Sequence, residues 1–212
     1  NASDGTKVQG ASVAMDPKTG AVRAMVGGRG QHVFRGYNRA TQMKRQPGST
    51  MKPLAVYSPA LQNGYHYDSE LSNKLQKFGK NGYEPKNVDN QYSNKIPMYE
   101  ALAQSKNVPA VWLLDKIGVS KGVQSVENFG IHVNKSDQNL ALALGGLSTG
   151  VSPLQMARAY SAFANEGNLP NQSYCITKIT DASGNVIAQN KNPGNHRIIS
   201  TNTAKEMTSM LL

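Results

Sequence analysis

The sequence has 212 residues, of which 38% are hydrophobic, and it carries a formal net charge of +10. This length fits one large domain or two small ones, and a mean hydropathy of −0.49 is typical of a globular chain with a buried core. No apolar run approaches the roughly 20 residues needed to span a bilayer, and a single cysteine, Cys175, excludes an internal disulfide framework.

The first part of the chain predicts a hairpin, a loop and a helix. Residues 8–15 and 21–27 are β-branched and partly alternating, and the turn sequence between them predicts a β-hairpin. After a glycine-rich, basic loop, apolar residues at helical spacing predict a helix that begins near Ser49. Pro59 predicts a kink or a break in this helix, and Gly64 predicts its end.

The rest of the chain is predicted to be mostly helical. Residues 65–96 are polar and predict a long loop with little regular structure. Apolar periodicity and terminal signals predict five further helices, beginning near Pro97, Val108, Ser120, Ser152 and Ser200. The helix at Ser152 has the strongest start signal, with an N-cap, a first-turn proline and a capping-box glutamine. Residues 174–189 predict a second hairpin around a turn sequence.

Ser49 and Lys52 form the pair on which the predicted chemistry depends. On a helix, residues i and i+3 share a face with Cβ atoms about 5–6 Å apart, so the Lys52 amine can reach the Ser49 hydroxyl and take its proton. Ser49 is the only serine in the sequence that has a lysine three residues later. Such a pair also arises by chance, so its interpretation depends on the surrounding motifs.

The motif Ser-x-Asn occurs three times, beginning at Ser105, Ser183 and Ser200. The second lies in a predicted turn and the third at a predicted helix start, where Ser and Asn are ordinary turn and cap residues. Ser105 and Asn107 lie between two predicted helices, and side chains at i and i+2 converge only at such a break. The spacing leaves two interpretations open: an ordinary turn, or a proton relay by Ser105 with Asn107 steadying the lysine or a substrate carbonyl.

A rival nucleophile, Ser148, lies in a Gly-x-Ser-x-Gly sequence between an apolar run and a predicted helix. Asp181 and His196 follow it in the chain order of an α/β-hydrolase triad. That fold needs alternating parallel strands and helices, which the upstream pattern does not predict. The helix cap at Ser152 also comes too late for a nucleophile elbow, which favours Ser49 over Ser148.

The remaining motifs point away from a metal site, and the placement of the aromatic residues points away from nucleic acid. Lys-Thr-Gly at Lys18–Gly20 lies at the apex of the first predicted hairpin and is interpreted as a turn. The histidines have no partner at metal-ligand spacing, at His32, His66, His132 and His196. Because aromatic residues are not interleaved with the basic ones, nucleic acid is not expected. The charge of +10 fits an anionic lipid or wall polymer, or solubility alone.

Taken together, the segments resemble the transpeptidase domain of class A (bifunctional) penicillin-binding proteins. The resemblance covers nearly the whole chain and keeps the family's order, which makes it more specific than any single motif. The matching segments are MDPKTGAV from Met15, NRA from Asn38, RQPGST from Arg45, QSKNVPA from Gln104 and GVSPLQMA from Gly150. The resemblance implies an α+β fold of helix, antiparallel sheet and helix layers, the penicillin-binding protein/serine β-lactamase-like transpeptidase fold.

The resemblance also implies a role for each residue of the site. Ser49 would be the acylated nucleophile and Lys52 its general base. Ser105 would pass the proton toward the leaving amine, and Asn107 would hold Lys52 and the substrate amide. The implied substrates are peptidoglycan stem peptides ending in D-Ala-D-Ala, with β-lactam antibiotics as acylating mimics. No cofactor and no metal are implied.

One part of the family pattern is not found in its place. The family's Lys-Thr-Gly strand should follow the helix that begins near Ser200, and it supplies one oxyanion-hole N–H, the other coming from Ser49 itself. We therefore expect residues 1–212 to be the N-terminal, larger part of one transpeptidase domain, lacking its C-terminal sheet strands. The expected partners include those strands, a glycosyltransferase domain and a membrane anchor of the same polypeptide. The expected place of action is the outer face of the cytoplasmic membrane.

Two alternatives from other classes stay open at this point. One is an α/β-hydrolase-type esterase that uses Ser148. The other is a non-catalytic wall-binding or β-lactam-sensing module on the same fold. A β-lactamase or a D,D-carboxypeptidase is a smaller variation on the first interpretation, because water would replace the amine acceptor.

We predict that residues 1–212 expressed alone are not labelled stoichiometrically by a fluorescent penicillin. The loss of one oxyanion-hole donor typically costs about 10²–10³ in kcat, and central strands of the sheet would also be missing. Gel fluorescence measures the labelling, with the full polypeptide that carries this chain as the positive control. Robust stoichiometric labelling of Ser49 in the 212-residue chain would show this prediction to be wrong.

Overall fold

The computed structural model describes residues 3–30, 33–79, 81–191 and 193–212, so His32 lies outside the described residues. The helices in these ranges are α1 (Ser58–Leu61), α2 (Met98–Ala103), α3 (Asn107–Ile117), α4 (Val119–Asn128), α5 (Pro153–Ala164) and α6 (Thr201–Leu211). None of them is long and apolar enough to cross a membrane. The strands are β1 (Ser12–Met15), β2 (Val22–Val26), β3 (Glu70–Asn73), β4 (Ser93–Pro97), β5 (Asn168–Pro170), β6 (Lys178–Thr180), β7 (Val186–Gln189) and β8 (Asn195–Arg197).

The described strands form four antiparallel pairs, β1–β2, β3–β4, β5–β8 and β6–β7. The first and last of these pairs are the two hairpins that the turn sequences predict. The helix starts are confirmed as well. The Ser152 hydroxyl accepts the Gln155 N–H at 3.2 Å, and the Gln155 side chain accepts the Ser152 N–H at 3.0 Å, which completes a capping box. Ser200 caps α6 by accepting the Thr203 N–H at 3.1 Å.

The core is built around α3 and the segment that follows Ser49. Residues 53–57 are all buried, and α3 contributes Val108, Val111, Leu113 and Leu114, each of them fully buried. Burial on every side is typical of an element at the centre of a domain rather than at its surface. The segment that carries Ser49 and Lys52 therefore leads directly into buried core.

The chain from 48 to 61 is helical, as predicted, but its winding changes twice. A 3-10 turn at Gly48–Met51 leads into a π turn at Pro53–Tyr57, and α1 follows. Pro59 has no N–H and cannot bond to the carbonyl of residue 55. The preceding residue, Ser58, donates its N–H to the Pro53 carbonyl, which is five residues back as in a π turn. The break predicted at Pro59 is thus a local change of helix type.

The prediction that residues 65–96 lack regular structure is wrong at both ends. The β3 and β4 strands pair across this segment with Leu71 opposite Ile96, and both of these side chains are buried. Each strand turns a single apolar side chain inward, so the pattern is too short for hydrophobic alternation to reveal. The short β5–β8 pair was not predicted either, because each strand has three residues and β8 has no apolar side chain.

We predict that Ser125→Ala destabilises the protein by about 1–3 kcal/mol, because it leaves a buried carbonyl without its partner. The Ser125 hydroxyl donates to the Leu54 carbonyl at 2.6 Å, inside the π turn. Ser120→Ala on the same helix is the matched control, because Ser120 is exposed; we expect a change within about 0.5 kcal/mol. Denaturant unfolding of the full polypeptide measures both. Equal effects of the two substitutions would contradict the prediction.

Candidate active site

A buried lysine organises the site. The Lys52 side chain is fully buried, and its Nζ donates to the Ser105 carbonyl at 2.6 Å, the Ser105 Oγ at 3.1 Å and the Asn107 Oδ1 at 2.8 Å. These three acceptors use all three donors of an ammonium group. None of them is charged, so the hydrogen bonds are satisfied but no counter-ion among these partners offsets the cost of burying a cation. Burial lowers the pKa of Lys52 from 10.5 to about 8.

The 3-10 turn sets the relation between Lys52 and Ser49. In a 3-10 helix the side chains at i and i+3 eclipse one another, and the Lys52 N–H bonds to the Ser49 carbonyl across this turn. Gly48 begins the turn at φ +59°, a conformation that glycine adopts without strain. Ser49 is exposed whereas Lys52 is buried. One turn of chain therefore carries both an exposed serine and a buried lysine.

Ser105 lies in the predicted break between α2 and α3. Its backbone is left-handed at φ +51°, which is uncommon for a residue with a side chain and costs roughly 1–2 kcal/mol. This conformation lets both its carbonyl and its hydroxyl point at the same Lys52 ammonium. The break that the Ser-x-Asn spacing requires is confirmed, and it brings Ser105 and Asn107 onto one lysine.

Asn107 is the first residue of α3, and its amide has two different partners. The Oδ1 accepts from Lys52, and the Nδ2 donates to the Lys86 carbonyl at 2.9 Å. Because a backbone carbonyl only accepts, this second contact fixes which way the amide faces. One Nδ2 hydrogen remains for another acceptor. The side chain can therefore hold the lysine and bind a carbonyl oxygen at the same time.

The glycines around Ser148 support the turn that carries Ser49. The backbones of Arg45 and Val151 exchange two hydrogen bonds, at 3.1 and 2.8 Å. A Cβ atom at Gly150 would lie 2.6–2.7 Å from the Arg45 backbone, and one at Gly145 would lie 2.5 Å from the Gly48 nitrogen. Only residues without side chains allow so close an approach. Sequence reasoning assigned this segment to a rival nucleophile and missed its supporting role.

The α/β-hydrolase interpretation of Ser148 is wrong. The Ser148 Oγ donates to Asp137 at 2.8 Å and so makes no use of a histidine. The Asp181 carboxylate accepts hydrogen bonds within its own hairpin turn, and the His196 Nδ1 lies 2.6 Å from the Asn171 side chain. The three residues of the supposed triad have separate partners, and a turn rather than a strand-to-helix elbow holds the serine.

The Lys-Thr-Gly sequence at 18–20 lies in the turn that its composition predicts. Asp16 Oδ1 accepts the N–H groups of Lys18 at 3.0 Å and Thr19 at 3.1 Å, and Gly20 follows at φ +78°. These contacts form the turn between β1 and β2. The triplet has a structural role in this hairpin and lies on no strand.

The fold and the site define the class of protein. The structure of penicillin-binding protein 1A from Haemophilus influenzae is similar with a TM-score of 0.83 and 28% identity, over 96% of this chain and 34% of that one. A mixed helix and antiparallel-strand architecture of this kind is the transpeptidase fold. The family model "Penicillin binding protein transpeptidase domain" matches residues 10–212, and the chain belongs to that family.

Relatives with similar sequences are longer proteins of the same family. Penicillin-binding protein 2a of Streptococcus pneumoniae is 45% identical over 219 residues, which cover 100% of this chain and 29% of that protein. Penicillin-binding protein 1F of Bacillus subtilis is 45% identical over 204 residues, with shares of 96% and 28%. The chain thus spans less than a third of these relatives. An imipenem acyl-enzyme complex of penicillin-binding protein A from Mycobacterium tuberculosis shares the fold, with a TM-score of 0.84 at 19% identity over 95% of this chain and 56% of that one.

We predict that acylation of Ser49 by a penicillin rises about tenfold per pH unit below pH ~8 and levels off above it, because only neutral Lys52 can accept a proton. The pKa of Lys52 lies at about 8, so the neutral fraction grows through this range. Stopped-flow fluorescence on the full polypeptide measures the rate. Lys52→Arg is the control, since a guanidinium stays protonated and should abolish the pH-dependent rate. A wild-type rate that is flat between pH ~6 and ~8 would contradict the prediction.

Proposed function

We propose that this chain carries the acylation machinery of a peptidoglycan D,D-transpeptidase, with Ser49 as its nucleophile. The observation that supports this most directly is the burial of Lys52 among three uncharged acceptors, one turn from an exposed Ser49. A serine needs an adjacent base to react, and a lysine becomes such a base when burial lowers its pKa toward neutrality. Membership of the transpeptidase family supports the same role.

In the first half-reaction, the Ser49 Oγ attacks the penultimate D-Ala carbonyl of a stem peptide while Lys52 accepts its proton. A neutral amine has two N–H groups and one lone pair, so Lys52 keeps two of its present acceptors and presents the lone pair to Ser49. The tetrahedral intermediate collapses, the peptide bond breaks, and terminal D-Ala leaves as an amine. Ser105, whose hydroxyl contacts Lys52, passes the proton to that amine.

In the second half-reaction, an amine of a second stem peptide attacks the Ser49 ester. The new peptide bond cross-links two strands of the wall, and the serine recovers its proton. Asn107 positions the donor by offering its free Nδ2 hydrogen to the amide carbonyl while its Oδ1 holds Lys52. A β-lactam acylates Ser49 in the same way, since its ring amide replaces the scissile peptide bond and the ring-opened product stays attached.

The proposed activity belongs to the longer polypeptide of which residues 1–212 form one part. A Lys-Thr-Gly strand elsewhere in that polypeptide completes the domain and supplies the second oxyanion-hole donor beside the Ser49 N–H. Together with a glycosyltransferase domain and a membrane anchor, it acts on the outer face of the cytoplasmic membrane. Without the strand, the chain is expected to be inactive.

We predict that Ser49→Ala abolishes covalent labelling of the full polypeptide by a β-lactam, and that Lys52→Ala lowers the acylation rate by at least about 10³-fold, because the serine loses its base. Mass spectrometry of the digested adduct identifies the acylated residue. Ser148→Ala is the matched control and should be labelled on Ser49 at the wild-type rate.

Two outcomes would contradict the proposal. An adduct on a residue other than Ser49 would assign the chemistry to another nucleophile. Unchanged peptidoglycan or β-lactam binding by both Ser49→Ala and Lys52→Ala, together with no cross-linking by the wild type in a peptidoglycan assay, would favour a non-catalytic wall-binding or β-lactam-sensing module on this fold.

A further inference from the structure

A single asparagine from the loop between β3 and β4 holds the start of α3. Asn87 is only 2% exposed, and its Oδ1 accepts the N–H groups of both Asn107 and Val108 at 3.0 Å. The first N–H groups of a helix have no intrahelical partner and need an acceptor from outside. The residue at the N-cap is Lys106, whose side chain cannot accept a hydrogen bond. Asn87, which lies twenty residues before Asn107 in the chain, supplies the acceptor that a capping side chain would supply.

The other end of the Asn87 amide is fixed as firmly. Its Nδ2 donates to the Asn73 Oδ1 and to the Gln91 carbonyl, both at 2.7 Å. The side chain therefore makes all four hydrogen bonds that an amide can make. Backbone N–H groups face its oxygen and a backbone carbonyl faces its nitrogen, so only one orientation satisfies them. Asn73 is itself buried at the end of β3, which ties α3 to that strand.

Two further contacts join the same loop to the Ser105–Asn107 segment. The Lys106 Nζ pairs with Asp89 at 2.6 Å, and the Lys106 side chain is almost wholly buried. The Asn107 Nδ2 donates to the Lys86 carbonyl at 2.9 Å. Loop residues 86, 87 and 89 thus contact the backbone of Asn107 and the side chains of residues 106 and 107. Asn107, one of the two residues that hold Lys52, is fixed in place by this loop.

We propose that Asn87 is a positioning residue for acylation, which acts by fixing the Asn107 amide against Lys52. This inference rests on the proposed function. Asn87 reaches the reacting atoms only through Asn107, whose Oδ1 lies 2.8 Å from the Lys52 Nζ. Displacement of a catalytic group by about 1 Å can cost roughly 10²-fold in rate. The loop between β3 and β4 is therefore a functional part of the site.

A double-mutant cycle on the full polypeptide tests this proposal. The second-order rate constant of acylation by a fluorescent penicillin is measured for wild type, Asn87→Ala, Asn107→Ala and the double variant. We expect Asn87→Ala to slow acylation roughly 10- to 100-fold. If Asn87 acts through Asn107, the double variant is no more than about threefold slower than Asn107→Ala alone. Val88→Ala is the matched control on the same loop, since Val88 is 89% exposed, and its rate should equal that of wild type.

Each result of the cycle decides the proposal. A wild-type acylation rate for Asn87→Ala overturns it. It is also overturned if the fold-loss in acylation rate of the double variant equals the product of the two single losses, because the two residues then act independently. If wild type itself is not acylated on Ser49, the proposed function fails first, and this result is distinct from either outcome of the cycle.

A second variant covers the case in which Asn87→Ala does not fold, as judged by its unfolding transition. Asp89 is half exposed, so Asp89→Ala opens no cavity, but it leaves the buried Lys106 ammonium without its partner, and its unfolding transition is measured beside its rate. We expect a loss of roughly 3- to 10-fold that disappears in the Asn107→Ala background and is partly rescued by Asp89→Asn, which retains a hydrogen-bond acceptor. A wild-type rate for Asp89→Ala overturns the proposal.

Discussion

The burial of one ammonium group without a counter-ion is the constraint on which the rest of the structure depends. A buried charge is costly unless its hydrogen bonds are satisfied, and Lys52 meets that requirement with uncharged acceptors alone. A carboxylate in their place would stabilise the cation and keep its pKa high. The uncharged acceptors hold the lysine in position and leave its protonated form poorly stabilised. Because all three acceptors come from residues 105 and 107, the break between α2 and α3 must lie against the turn that carries Ser49.

Two segments that are distant in sequence support this cluster. One supports the turn that carries Ser49, and the other supports Asn107. The glycines at 145 and 150 approach the turn around Ser49 closely, and the hydroxyl of Tyr160 donates to the Thr50 carbonyl at 2.7 Å. The loop between β3 and β4 supports Asn107 through Asn87. The separation between serine and lysine is set locally by the turn at Gly48–Met51, whereas the position of the pair is set by tertiary packing.

Sequence reasoning succeeded where the determinants are local. Both hairpins follow from their turn residues, the start of α5 follows from its capping box, and the grouping of Ser105 with Lys52 follows from spacing and from resemblance to a family. Sequence reasoning failed where a residue contacts a segment that is distant from it in sequence. Asn87 lies in a polar loop with several other asparagines, and nothing in that composition distinguishes the one with four buried hydrogen bonds. The sequence shows glycines at 145 and 150, but only the tertiary structure shows which backbone approaches them.

The π turn after Lys52 has a consequence for how this segment can change its length. One residue of an α-helix corresponds to a rotation of about 100°, so the wider turn at Pro53–Tyr57 offsets the helical phase between Lys52 and α1. Pro59 is compatible with this offset, since it lies in the first turn of α1, where a missing N–H costs no intrahelical hydrogen bond. Deletion or insertion of a single residue between 53 and 59 would rotate the lysine out of its pocket while leaving every motif intact. The number of residues between the turn that carries Ser49 and Pro59 is therefore constrained by helical phase, in addition to the burial of residues 53–57.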